Sequence, residues 1–503
     1  MITSRQSKRL FFNLSQAIGQ KEFGNARKFA QHVKYTCIKK KIKLADANIL
    51  FGYGGGKDST WSLVFTRLAQ LIVRQEFGET FNLHICSMVH LGTPRATLQN
   101  MQKVFTGLQV FDDFSIPFPQ IYCYGQVINF TPDYQVPEPQ KSWLREDILL
   151  AGQRSFGNGR ATFCQTCNLH MINAGIYKLD QGMHFIITGD STSELRSYHA
   201  WVQNILKQNN LLPLEKKGDC KYNIGCLQQI HDKFYSDLIT NANYCASGRY
   251  CHEPVSVYPK FSFIPIFDFT KYSLKEHWSF FKNFLHFDFN DEILNFTETD
   301  CHHPLLMCHL RGISAECEGR GYVAGVNEYL SVMKYFFNKK EFHQKLIDAN
   351  LNKFSSEAKI NIARRRAESI FDGMGISKAQ TICLAYSPIA EKCKNLHKYL
   401  VEQEPGFLKY EIKIKKYLAG DGRIEDKIKK FLFAKVGLNQ DLLRHLYLSP
   451  LFYPIYTRTN ERKNNENNDK NILNSVMKYD PHQKEVCYFD KNGEKIGEII
   501  FGR

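Results

Sequence analysis

The sequence predicts an α/β protein built on a mostly parallel five-stranded sheet. Two observations carry this. Short apolar runs alternate with longer stretches of helical periodicity between residues 47 and 310, the signature of strand–helix–strand crossovers. The first apolar run also ends in a glycine-rich turn that leads straight into a helix, as ligand loops do at the carboxyl ends of parallel strands.

The strands follow in order. Ile49-Leu50-Phe51 is the first, and Leu83 to His90 the second. Gln120 to Tyr124, closed by Gly125, is a shorter third, and His184 to Thr188 the fourth. Phe261 to Ile266 is the fifth; Pro265 cannot donate to a ladder, which puts this run at a sheet edge or cuts it short. Residues 1–46 read as a basic, helical N-terminal extension and 47–319 as the α/β domain, with an insertion near 200–258. From 320 to 503 the chain is basic and mainly helical. Within it, the low-complexity run 460–471 reads as a mobile loop. Glu485 to Phe489 and Ile496 to Ile500, joined through Asn492-Gly493, read as a β-hairpin.

At 503 residues, with 43% hydrophobic and 13% aromatic content, the chain is long enough for two or three domains. No apolar run reaches the ~20 residues that span a bilayer, so no membrane partner is expected and the cytoplasm is the expected location. A net charge of +16 points to a polyanionic partner, nucleic acid among the candidates. The 15 cysteines, without a secretion signal, suggest metal or sulfur chemistry rather than disulfides.

Gly54-Gly55-Gly56-Lys57-Asp58-Ser59-Thr60 is the most informative segment. Glycines admit an anion close to the backbone, the helix start offers unpaired N–H groups, and Lys57 adds a full charge. A Walker A loop is excluded because Asp58 follows Lys57 and Phe51 stands where its first glycine belongs. A dinucleotide fingerprint is excluded because Ser59 stands where its third glycine belongs. The segment resembles the Ser-Gly-Gly-Lys-Asp-Ser loop of the PP-loop (N-type) ATP pyrophosphatases, with Gly54 in place of the first serine. That resemblance implies the adenine nucleotide alpha hydrolase (HUP-like) type of sheet. It also implies ATP cleavage between the α and β phosphates, with Lys57 and Asp58 catalytic and Gly54 to Thr60 around the phosphates.

Gly189-Asp190-Ser191-Thr192-Ser193-Glu194 follows the fourth strand and resembles the segment these enzymes carry there. Gly189 would admit the nucleotide, and Asp190 or Glu194 would hold Mg²⁺. By the same resemblance, adenine sits near Met88 to His90. An N-cap with an acidic first turn is the alternative for Asp190 and Glu194.

Cys164-Gln165-Thr166-Cys167 precedes the fourth strand at the head of an expected helix, a spacing that can chelate one metal. Cys301-His302-His303-Pro304 and Cys308-His309 come after the fifth strand. The arrangement resembles tRNA 2-thiocytidine synthetases, which implies an iron–sulfur cluster on Cys164, Cys167 and a later cysteine. Zinc on Cys164, Cys167, Cys301 and either Cys308 or a histidine is the structural alternative. Cys220, Cys226, Cys245 and Cys251 fall in the insertion at loose spacings. Arg311, Arg320 and Arg364 to Arg366 suit phosphate or RNA as well as a solvated helix face.

The expected activity is therefore adenylation of a substrate carbonyl oxygen, followed by displacement of AMP. tRNA thiolation with a separate sulfur donor leads. Amidotransfer to a sugar or other small molecule, fed by a separate glutaminase subunit, is the alternative. A non-catalytic nucleotide- or metal-binding protein is the third reading, and Gly54 is the feature that favours it.

Overall fold

The computed structural model describes residues 4–123, 126–159, 161–165, 182–189, 262–271, 273–289, 302–339 and 344–451. It also describes strands at 476–480, 485–489 and 495–500, and isolated positions at 203, 206–207, 211, 229–230 and 342.

Every strand expected from the sequence is present. β1 (Asn48–Gly52), β2 (Asn82–Met88), β3 (Gln120–Cys123), β5 (Phe185–Thr188) and β6 (Ser262–Phe263) pair in parallel in the spatial order β3-β2-β1-β5-β6. β6 is an edge strand and stops before Pro265, which opens a short 3₁₀ turn at Ile266–Asp268. The expectation of a purely parallel five-stranded sheet needs correction. A sixth strand, β4 (Gln126–Asn129), runs antiparallel to β3 on the other edge, with Cys123 opposite Gln126. Only Tyr124 and Gly125 separate the two strands. Tyr-Gly lacks the Asn-Gly or Asp-Gly pattern of a tight hairpin, so the sequence reads as a strand end.

β1 is the innermost strand, and Ile49, Leu50 and Phe51 are all buried, as a strand covered on both faces requires. The strand order reverses here, since β2 lies on one side of β1 and β5 on the other. α3 (Lys57–Phe77) follows β1 and is enclosed almost all round, with every residue from Thr60 to Val73 buried. The N-terminal extension supplies part of that enclosure. α1 (Ser4–Ile18) and α2 (Gln20–Lys39) share its core, and the Phe29 ring on α2 lies 5.8 Å from Phe65 on α3. A polar chain adds to this: the Trp61 indole N–H donates to Thr270 Oγ1 at 3.0 Å, and the Thr270 hydroxyl donates to Glu22 at 2.6 Å. α4 (Arg95–Gly107) packs its Phe105 ring 5.5 Å from Tyr53.

After α5 (Gln140–Arg154) and β6, the chain becomes helical. α6 (Pro304–Cys317) and α7 (Tyr322–Lys339) are followed by α8 (Gln344–Asn352), α9 (Glu357–Gly373) and α10 (Lys378–Tyr386). The later helices include α11 (Leu396–Gln403), α12 (Glu411–Ala419), α13 (Asp426–Val436) and α14 (Gln440–Leu448). This region is fastened to α5 by buried polar contacts. Gln153 donates to Cys383 O at 3.3 Å, and Arg154 lies 2.6 Å from His445 Nε2 and donates to Ser449 Oγ at 3.1 Å. One hydrophobic core runs from Leu10 to Leu451.

Two further readings meet the structure at their edges. The expected C-terminal hairpin forms at Glu485–Phe489 and Lys495–Ile500, and a third antiparallel strand, Val476–Asp480, extends it. Leu206 and Ile230, within the expected insertion, are fully buried; most of that insertion and the loop at 460–471 lie outside the described residues.

Candidate active site

The glycine loop sits at the carboxyl end of β1, where the sheet order reverses and open α/β sheets bind ligands. Its first residue, Tyr53, extends the ladder by donating its N–H to Cys86 O at 2.8 Å. The Tyr53 ring is buried, and its hydroxyl pairs with Thr60 Oγ1 at 2.9 Å. Thr60, expected at the phosphates, is fully buried and anchors the loop from beneath instead.

Gly55 has φ +73°, and a Cβ there would come within 2.7 Å of Thr97 and closer still to Met101. Gly56 is the N-cap of α3 and supplies no side-chain acceptor, so the helix start carries no internal cap. The first helical bond is Thr60 N–H to Gly56 O at 2.9 Å, and the Ser59 hydroxyl turns back to the same carbonyl at 3.0 Å. The Lys57 side chain is only 3% exposed, with Nζ 3.2 Å from the Asp58 carboxylate. The ring of Phe342, from the C-terminal half, is centred 6.0 Å from the same Nζ.

The sequence placed Gly189 beside this loop, and the structure brings the two into direct contact. A Cβ on Gly189 would fall 2.6 Å from Ser59 Cα and 2.7 Å from Ser59 Cβ, so only hydrogen fits. The end of β5 therefore abuts the first turn of α3. Asp190 and Glu194, expected to hold Mg²⁺, lie outside the described residues.

The cysteine expectations resolve in part. Cys164 lies on a wide helical turn, Ala161–Gln165, rather than at the head of a regular helix. Cys167 and Cys301 lie outside the described residues. Cys308 is buried on α6 beside His309, whose Nδ1 is 3.0 Å from the Tyr322 hydroxyl. Burial pushes the His309 imidazole down to about 4. Among the described residues, no group of three or more His, Cys, Asp or Glu side chains is arranged to hold a metal.

The structure does bring the two cysteine-bearing segments together. Phe163, the residue before Cys164, has its ring 5.1 Å from that of His302, the residue after Cys301. His90, just past β2, completes the group at 4.9 Å from His302 and 6.0 Å from Phe163. All three side chains are buried. Burial first, and the neighbouring His90 second, hold the His302 imidazole well below its ordinary value and keep it neutral.

Sequence reasoning missed His90, Phe163 and Phe342 as members of this region. The first two stood beside recognised features, a strand end and a Cys-x-x-Cys. Phe342 carried no local signal, because its approach to Lys57 is purely tertiary. A separate open cavity, lined among others by Ile18, Glu22, His277 and Phe280, shares no residue with the loop.

The chain matches no family model, no curated protein and no solved structure.

Proposed function

We propose that the chain is an ATP-dependent, AMP-forming enzyme of the PP-loop type. The observation that carries this is the contact of Gly189 with Ser59 beside buried Lys57, at the point where the strand order reverses. Five parallel strands, with the loop on the innermost, also support the finer assignment to the adenine nucleotide alpha hydrolase type of fold.

In this reading the triphosphate lies over Gly54 to Ser59. A carbonyl oxygen of the substrate attacks the α-phosphate, and the α–β bond breaks to release pyrophosphate. Lys57 and the leading amides of α3 stabilise the charge that develops on the leaving group. Gly189 keeps the floor of the crevice free of a side chain. Mg²⁺, held by Asp190 or Glu194, supplies further neutralisation of phosphate charge. A sulfur nucleophile then attacks the adenylated carbon, its C–O bond breaks, and AMP departs. The net charge of +16 favours tRNA as the substrate, which makes the overall reaction tRNA thiolation with a separate sulfur donor.

A specific observation favours a second reading, amidotransfer to a small molecule. The histidine pair beside Cys164 suits a zinc ion better than a sulfur-carrying iron–sulfur cluster. Nitrogen from a separate glutaminase subunit would then be the nucleophile.

Pyrophosphate release from ATP, measured with total tRNA and with pools of small metabolites, tests the proposal. Release should depend on one of these pools and fall at least about 100-fold in Lys57→Ala. No release with any pool would favour a non-catalytic nucleotide-binding protein.

A further inference from the structure

We propose that His90 and His302 are ligands of a single zinc ion, bound together with Cys164 next to the glycine loop. The inference does not depend on the ATP chemistry. It stands on the geometry of three segments that meet at the carboxyl edge of the sheet.

The first segment is the turn after β2. His90 is 3% exposed and Thr93 N–H donates to His90 O at 2.9 Å, which closes the turn tightly. The second is the start of α6. His302 is 1% exposed and is seated directly on that turn. A Cβ on Gly92 would lie 2.8 Å from His302 Cδ2, and His303 N–H donates to Gly92 O at 3.0 Å. Gly92 is thus the residue that lets the His302 ring lie against the turn. The third is the wide turn bearing Cys164, fixed by the buried ring of Phe163 against His302.

The histidine rings have centroids 4.9 Å apart and planes at 75°. Two imidazoles that bind one tetrahedral ion through nitrogen place their centroids about 5 Å apart, given Zn–N bonds of about 2.1 Å. Both rings lie in apolar surroundings, and His302 is held neutral, the form that binds metal. Gly92 N–H approaches His90 Nδ1 only at 3.5 Å, too long to fix which ring nitrogen carries the proton. His303, by contrast, uses Nδ1 to accept from Leu305 N–H at 3.2 Å and caps α6. That difference assigns His302, and not His303, to the ion. A mixed nitrogen–sulfur set selects zinc over a sulfide cluster.

Metal analysis of the full-length protein after dialysis against a chelator tests this. The wild type should retain about one zinc per chain, the content of a closed structural site. His90→Ala, His302→Ala and Cys164→Ser should each lower retained zinc at least about tenfold, because losing a ligand costs no less than losing its second-shell partner. His303→Asn, which keeps a capping acceptor, should retain it. Matching far-UV circular dichroism separates lost metal from lost fold. His90→Cys and His302→Cys guard against simple misfolding. They keep a ligand at the position and, in the cobalt-substituted protein, should strengthen the thiolate-to-cobalt absorption. Lys57→Ala should keep its zinc, so failure of the ATP reading and failure of this one are distinguishable. Wild type that retains no zinc, or folded alanine variants that retain as much as wild type, would overturn the assignment.

Discussion

Asp113 holds the helix that carries the glycine loop. Its carboxylate accepts from Arg67 at 2.7 Å, from both terminal nitrogens of Arg74 at 2.7 Å, and from Ser115 N–H at 3.0 Å. Burial by itself would raise this carboxyl, but the Arg74 and Arg67 contacts outweigh it and hold it well below the usual carboxylate range. Arg67 is fully buried, so Asp113→Ala would leave an unpaired charge in the core, at a cost of about 3–5 kcal/mol. Urea unfolding at neutral pH should show that loss. The sign of the pH effect follows from the depressed folded value. The stabilisation is complete above the unfolded carboxylate range near 3.8 and is lost as pH falls below it toward the folded value. The wild type should therefore lose more stability on acidification through that range than Asp113→Ala does. At the site, Gly189→Ala should displace the first turn of α3, because the added methyl meets Ser59 backbone. We expect pyrophosphate release to fall by more than about tenfold while the melting temperature changes little, since a small misplacement of a catalytic loop costs far more activity than stability. Lys57 and Gly189 were legible as chemistry from the sequence. Asp113 was not, because its partners are 39 and 46 residues away and meet only in the fold.

At the scale of elements, the pattern of apolar runs located all five parallel strands, since a strand buried on both faces must be apolar whatever surrounds it. β4 escaped notice because Gln-Val-Ile-Asn is short, half polar and exposed at the sheet edge. α1 and α2 read as an appended extension because they are basic. In the fold they cover α3, whose own apolar circumference requires a second layer. Phe29 is fully buried between Phe65 and Phe269, with ring separations of 5.8 and 5.2 Å. Phe29→Ala should destabilise the chain by about 3–5 kcal/mol in denaturant titration. Deletion of residues 1–39 should leave the protein insoluble on expression, which a simple solubility assay would check.

For the whole molecule, the helical C-terminal half is built into the α/β half. The Cβ of an alanine at Gly152 on α5 would meet the Leu384 side chain at 2.9 Å, and Arg154 reaches His445 and Ser449. A chain cut at residue 319 would expose these faces and leave Arg154 without His445 and Ser449. We expect it to aggregate, whereas the full chain stays in solution in sedimentation runs. If tRNA is the substrate, its affinity should fall steeply with salt, as charge neutralisation by Lys and Arg demands. A binding constant that does not change between low and moderate salt would count against a polyanionic substrate.

By itself the sequence determined the parallel strands, the glycine loop with Lys57, and its place at a strand end beside Gly189. These follow from local periodicity and from the demands of an anion on nearby backbone. Only the tertiary structure decided that Thr60 turns into the core, that Phe342 stands near Lys57, and that His90, Phe163 and His302 meet. Those contacts join residues far apart in the chain, and nothing in local composition specifies them. They depend on how the helices close over the sheet.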